Sequence, residues 1–353
     1  KKPETELADA KYDGKINPLD FIQIKLIIVG KEKELTFVDA ERESKTVSMP
    51  VTKIVVLNPD CTDAIRAIGA KDKIVGIERA TAKHTKFFPK ISTLPSVGIG
   101  VMPDLEKILE MKLEMNLDIV IAYAPRGYNP GHEGLEDKLE PEVSVVRLNF
   151  HKAETLKDEM LKLGYILGEV ENAMKYLEWH DIYVAEIEEK VSDIPEDKKP
   201  KVLIDCGCRE GSTDRIISTE VKSISQLCEK AGGRNIAAGI TTPGFSPGHP
   251  YVSLEWILSQ NQDVIIGGAT GFNTREGGYE TDDESGMKAY YDEIIGLPGF
   301  GNVIAVKDGR VYIIHHDVAY GPNYPVGLAY MAKWLHPTLF EDLDPQAIHQ
   351  EYI

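Results

Sequence analysis

Apolar residues fall in short runs bounded by turn residues, and the order of these runs repeats along the chain. Ile54 to Leu57 form one run, Asn58-Pro59 a break, Asp60 to Ile68 a helical stretch stopped by Gly69, and Ile74 to Ile77 a second run. That order predicts strand, helix, strand. The pattern restarts at Val202-Leu203-Ile204, with a helical stretch Ile224 to Ala231, a Gly232-Gly233 stop and an apolar run Ile236 to Ile240 read as a strand. Gly69 to Gly76 and Gly232 to Gly239 share a spacing of seven. A second pair of segments keeps the same order: Leu105 to Leu109 precedes Asp118 to Ile121, and Leu254 to Leu258 precedes Asp263 to Ile266. The spacing from Glu106 to Asp118 is twelve and from Glu255 to Asp263 eight, so the first copy is longer by four residues, about one helical turn. Val303 to Ile314 reads as a hairpin about Asp308-Gly309.

Between the repeats Ala173, Leu177, His180, Val184, Ile187 and Val191 recur at steps of four and three without Gly or Pro. This stripe predicts one long helix of about 22 residues, about 33 Å at 1.5 Å per residue, with His180 packed on its buried face. Alternating β and α runs favour parallel sheets covered by helices. The predicted fold class is therefore α/β: two Rossmann-like lobes with small, mainly parallel sheets, joined by a single long α-helix, plus a short N-terminal loop-helix segment. The expected divisions are 1–34, 35–168 for the first lobe, 169–195 for the helix and 196–353 for the second lobe.

The chain's 353 residues suit two domains. Its net charge of −17 repels nucleic-acid phosphates and anionic headgroups, so no nucleic-acid partner is expected. Four cysteines are too few for a disulfide scaffold. No apolar run reaches the length of a membrane span, and the start at Lys1-Lys2-Pro3 reads as a mature or trimmed chain, with removal of a targeting segment as the expectation.

The first residues carry a separate pattern. Asp9, Lys11, Asp13, Gly14, Lys15, Asn17 and Asp20 take positions 1, 3, 5, 6, 7, 9 and 12 of a calcium loop, with Phe21 to Val29 as its exit helix. The segment resembles one half of a dockerin-type module. Lys11 departs from the pattern, because it places an ammonium where an oxygen ligand belongs. Two readings follow: a weakened calcium site through Asp9, Asp13, Lys15, Asn17 and Asp20, or a metal-free loop in which Lys11 replaces the cation. No second half follows, so cohesin binding is not expected.

In parallel α/β lobes, ligands sit beyond the carboxyl ends of the strands. The loops there offer Asn58, Tyr123, Arg126 and Tyr128 in the first lobe, and Cys208, Arg209, Arg275, His315, Tyr320 and Tyr324 in the second. Guanidinium groups with aromatic rings suit an anionic, planar ligand. Cys206 and Cys208, two apart, are expected to share a strand face. His315 and His316, adjacent in an extended segment, are expected to point to opposite faces. The motifs of serine hydrolases, P-loops, zincins and dinucleotide folds are missing, so no enzyme is expected.

The runs 53–77 and 105–123, the long helix, Ala231 to Ile236, Val252 to Glu255 and Val303 to Tyr312 together resemble the class III solute-binding proteins of ABC transporters, which capture ferric siderophores, haem or corrinoids. The likeness covers roughly 45–353. It implies a ligand held between the lobes, an extracytoplasmic location at the outer face of the cytoplasmic membrane or in the periplasm, and delivery to a permease with its ATPase subunits. A monomer is expected. It also implies that Glu106 and Glu255, at matched places in the repeat, pair with arginines of two permease subunits. A chelatase-like enzyme acting on a metal or tetrapyrrole is the alternative, since duplicated α/β lobes also serve that chemistry.

Overall fold

The computed structural model describes residues 18–100, 102–124, 134–208, 211–220, 222–269 and 277–353. It divides into two compact units, 1–177 and 178–353. The chain passes from one to the other inside the helix Val170–Ser192, a run of 23 residues. Ala173, Tyr176, His180, Val184, Ile187 and Val191 are its buried residues. Tyr176 therefore takes the place expected of Leu177, as a period of 3.6 allows.

Among the described residues, the first element is the helix Pro18–Ile28, which begins three residues before the expected exit helix. A hairpin of β1 (Glu34–Val38) and β2 (Ser44–Ser48) follows. The main sheet holds β3 (Ile54–Val56) and β4 (Ile74–Ile77), and β5 (Gly98–Ile99) with β6 (Met102–Pro103) make a small separate pair. β7 (Ile119–Tyr123) and β8 (Ser144–Leu148) complete the main sheet, which is parallel throughout in the order β4-β3-β7-β8. β3 and β7 are continuous, buried, mainly apolar runs because both faces are covered. Val55, Leu57, Ile108, Leu117, Val120, Leu139 and Val145 pack in one of its core clusters.

The second unit is built on β9 (Lys201–Cys208), with β10 (Arg215–Ile217) antiparallel to it and β11 (Arg234–Asn235) parallel. β12 (Gly244–Ser246) and β13 (His249–Val252) extend an antiparallel arm, while β14 (Val264–Ala269) and β15 (Val311–His315) continue in parallel, giving the order β12-β13-β10-β9-β14-β15. The antiparallel arm was not legible in the alternation of runs. Two expected strands also change. Ile236 to Ile240 is a turn, because the Asn235 side chain donates to Ser218 O at 2.8 Å and accepts from Ala237 N at 2.9 Å, folding the chain back. The Val303–Ile314 hairpin is instead a helical turn, Ile304–Lys307, that Gly309 stops at φ 66°, after which β15 pairs in parallel with β14.

The repeat is visible in its hydrogen bonds. Asp118 N donates to Lys53 O and Asp263 N to Lys201 O, both at 2.9 Å. Asp118 Oδ2 accepts from Lys53 N at 2.9 Å, and Asp263 Oδ2 from Lys201 N at 2.8 Å. Each lysine ammonium then donates to a carbonyl near the end of the preceding helix, Met115 O at 2.5 Å and Gln260 O at 3.2 Å. Both helices end on asparagine in the left-handed region, Asn116 and Asn261. Gly69 and Gly232 close their helices at φ 77° and 79°. The glycines seven residues on are not equivalent, since Gly76 lies within β4 and Gly239 at a turn.

His249, in the antiparallel arm, is buried, and its Nδ1 is 2.9 Å from Ser246 Oγ. Desolvation first, then the Lys222 ammonium, brings its pKa down to about 4. The native state therefore keeps it neutral where the unfolded chain, near pH 6.5, takes up a proton. Its contribution is full above about pH 6.5 and is lost as pH falls towards about 4, a loss of about 3 kcal/mol. Urea unfolding across that range should show a shallower decline for His249→Gln than for the parent chain. Parallel declines would refute the assignment.

Candidate functional site

Of the residues expected beyond the strand ends, Asn58, Tyr123, Cys208, His315, Tyr320 and Tyr324 fall among the described residues. In the first unit, Asn58 follows β3 and its amide oxygen accepts from Asp60 N at 2.8 Å and Cys61 N at 3.1 Å, capping the helix Pro59–Ala67. Tyr123 ends β7 and is buried, its ring centroid 6.3 Å from that of His151 and nearly perpendicular to it. His151 Nδ1 lies 3.9 Å from Asp60 Oδ2. Asp60, Tyr123 and His151 thus gather at one sheet edge. Reading the sequence for residues beyond strand ends missed His151, although it lies three residues past the apolar run that ends at Leu148.

A buried guanidinium fixes this edge. Arg147 on β8 makes a two-pronged pair with Glu136, at 2.7 and 3.1 Å, and donates to Tyr123 O at 3.0 Å. It therefore holds the last residue of β7, just before the segment that carries Arg126 and Tyr128. Those two residues lie outside the described residues, as do Arg209 and Arg275 of the second unit and Asp9, Asp13, Lys15 and Asn17 of the N-terminal loop. Asp20 falls within the helix Pro18–Ile28.

In the second unit, Cys206 is buried and Cys208 exposed. They do not share a face, because Gly207 sits at φ 107° and breaks the alternation of the strand. Burial pushes the Cys206 thiol well above its ordinary range. Beside it, Asp205 receives Arg215 through Nε at 2.8 Å and Nη2 at 2.6 Å, and Tyr290 OH at 2.6 Å. Arg215 Nη1 reaches Glu293 at 2.8 Å.

β15 ends on His315, and a short helix, His316–Ala319, starts at the next residue. The two imidazoles are therefore not in one extended segment. Instead of pointing to opposite faces they meet, with ring centroids 5.4 Å apart, and both approach Asp317: His315 Nδ1 at 3.3 Å and His316 Nδ1 at 3.1 Å. Tyr320 packs its ring 5.7 Å from that of His316. Tyr324 is buried and stacked on His180. Tyr123 and Tyr324 are thus both buried side chains. Tyr279, Ile313, His315, Tyr330, Trp334 and His349 line a cavity of about 250 Å³ alongside β15. Tyr279 OH meets His349 Nε2 at 2.8 Å, and desolvation lowers the pKa of His349.

Glu106 and Glu255 are exposed in the first turns of the helices Leu105–Met115 and Leu254–Gln260, which are capped by Asp104 and Ser253. Among the described residues, no helix is long and apolar enough to cross a membrane.

The pattern of the periplasmic binding protein family matches residues 54–318. YvrC, an uncharacterized ABC transporter substrate-binding lipoprotein of Bacillus subtilis, is 24% identical over 95% of this chain and 96% of its own length. The TroA-like periplasmic binding protein FepB of Veillonella parvula superposes with a TM-score of 0.72 at 20% identity, covering 90% of this chain and 94% of its own. The molybdate periplasmic binding protein MolA of Haemophilus influenzae, solved with molybdate, superposes at 0.68 with 17% identity, covering 90% and 96%.

Proposed function

The chain belongs to the periplasmic binding protein family, as a class III solute-binding protein of ABC transporters, and from that premise we propose that it captures a metal complex and delivers it to a permease. The transported species is a ferric siderophore, haem or a corrinoid, taken up outside the cytoplasm by the loops at the carboxyl ends of both sheets. The protein does no covalent chemistry on it. The observation that supports this reading most directly is the repeat itself: two equally anchored strand-helix units, each presenting an exposed first-turn glutamate, Glu106 and Glu255. A receptor docking on two related permease subunits needs such a matched pair.

Arg126 and Arg209 hold the anionic groups of the ligand, with Tyr128 and Tyr320 against its apolar faces. Charge-assisted bonds contribute about 1.5 to 3 kcal/mol each. Calorimetry with a ferric siderophore, haem and a corrinoid should give one equivalent bound for at least one of them, and the double variant Arg126→Ala, Arg209→Ala should weaken it by about 100-fold or more. Unchanged affinity would reject the two arginines. Incubation with a tetrapyrrole and a metal ion separates the receptor from a chelatase: a receptor saturates at one equivalent, whereas multiple turnovers would overturn the reading.

A further inference from the structure

We infer that His315, His316 and Asp317 bind a divalent transition-metal ion directly, as the free ion rather than inside a carrier molecule. The inference rests on the second unit alone and is separable from the receptor reading.

The three side chains offer one ligand atom each, and these atoms lie within 4.8 Å of one another. Two ligands bonded at about 2.0 to 2.1 Å to a tetrahedral ion stand about 3.3 Å apart. The imidazole nitrogens stand 3.3 and 3.1 Å from the Asp317 carboxylate, one from each of its oxygens, close to the spacing of two ligands on one ion. The junction of strand and helix creates this arrangement, because His315 keeps extended backbone angles while His316 begins the helix.

Asp317 is held from outside the cluster. Tyr279 N donates to its carboxylate Oδ2 at 3.2 Å, and the Asn323 amide donates to its main-chain carbonyl. Such supports orient metal ligands and strengthen binding. The backbone at Gly278 lies directly against the cluster: a Cβ there would stand 2.1 Å from Asp317 Oδ2 and 2.4 Å from His315 Nδ1. Only glycine, at φ +70°, leaves the two ligands undisturbed.

Access comes from the other side. The His316 side chain is 44% exposed while that of Asp317 is 7% exposed, so an ion reaches the cluster past His316 and keeps positions open for water. Two imidazoles and one carboxylate favour zinc, cobalt, nickel or copper over the all-oxygen shells of calcium and magnesium. The chain's net charge of −17 favours approach of a cation. The competing description is a helix start with no ion, in which His315 Nδ1 accepts from Asp317 N at 3.2 Å and the carboxylate only pairs with imidazole.

The full chain, freed of metal by a chelator, is titrated with Co²⁺ and with Zn²⁺ by calorimetry and visible absorption. The inference predicts one equivalent bound, the intense visible bands of low-coordinate cobalt, and their bleaching by Zn²⁺. His316→Ala, at the solvent-facing ligand, should weaken binding by at least about 10-fold with an unchanged circular dichroism spectrum, and Asp317→Asn should do the same. Absence of the bands, or binding that both variants leave unchanged, would overturn the inference. Should haem or a ferric siderophore still bind in that case, the receptor reading stands and the metal site falls alone.

Discussion

Reversing both Glu106 and Glu255 to lysine should abolish stimulation of the permease ATPase while leaving ligand affinity unchanged. Both side chains are exposed and sit in first helical turns. There a carboxylate is favoured by the helix dipole by about 0.3 to 1 kcal/mol, so its loss costs little stability. A lysine facing a permease arginine instead places like charges together, which costs several kcal/mol across an interface. Each single reversal should reduce stimulation, and the pair should bring it to the basal rate. The check is ATP hydrolysis by the permease complex in liposomes, with and without the receptor. Normal stimulation by the doubly reversed protein would eliminate the docking role.

Asp205→Ala should cost about 3 to 5 kcal/mol, because it leaves the buried Arg215 without its main partner. For a unit of this size that lowers the unfolding midpoint by roughly 10 °C. Glu293 is only a partial substitute, since it pairs through a single Nη at 2.8 Å and is itself partly exposed. Replacing the pair together, Asp205→Leu with Arg215→Met, should recover much of the loss, because it removes the uncompensated charge as well as the bond. Differential scanning calorimetry of the three proteins decides it. A double variant no more stable than Asp205→Ala alone would show that hydrogen bonding, including Tyr290 OH to Asp205, outweighs charge burial.

The parallel core of both units was legible because its strands are uninterrupted apolar runs flanked by turn residues, as at Ile54–Val56 and Val264–Ala269. The long helix was legible from its period, with Tyr176 replacing Leu177 on the buried face. What escaped was set by contacts between distant residues. The β10-β13-β12 arm consists of short strands without strong patterning, and its place depends on pairing with β9. Asp308-Gly309 reads equally as a hairpin turn or a helix stop, and only the parallel pairing of β15 with β14 decides between them.

The rule that ligands gather beyond strand ends picks out Tyr123, Cys208 and His315, which do end their strands, but it gives no orientation. Tyr123 and Tyr324 are buried, and Gly207 separates Cys206 from Cys208. The period of two that would part His315 from His316 holds only within a strand, and the strand ends between them. Arg147 and Arg215 were invisible as site-shaping residues, because nothing in a sequence marks which charged side chain will be buried with its partner.

Native mass spectrometry of the intact protein, recovered from the organism that makes it, tests the central claim most directly. The account predicts, apart from any ion at the His315-His316-Asp317 cluster, one ligand per chain whose mass and visible spectrum match a single metal complex, released unaltered when the protein unfolds. Recovery of a chemically converted product, or of a ligand that contains no metal, would contradict it.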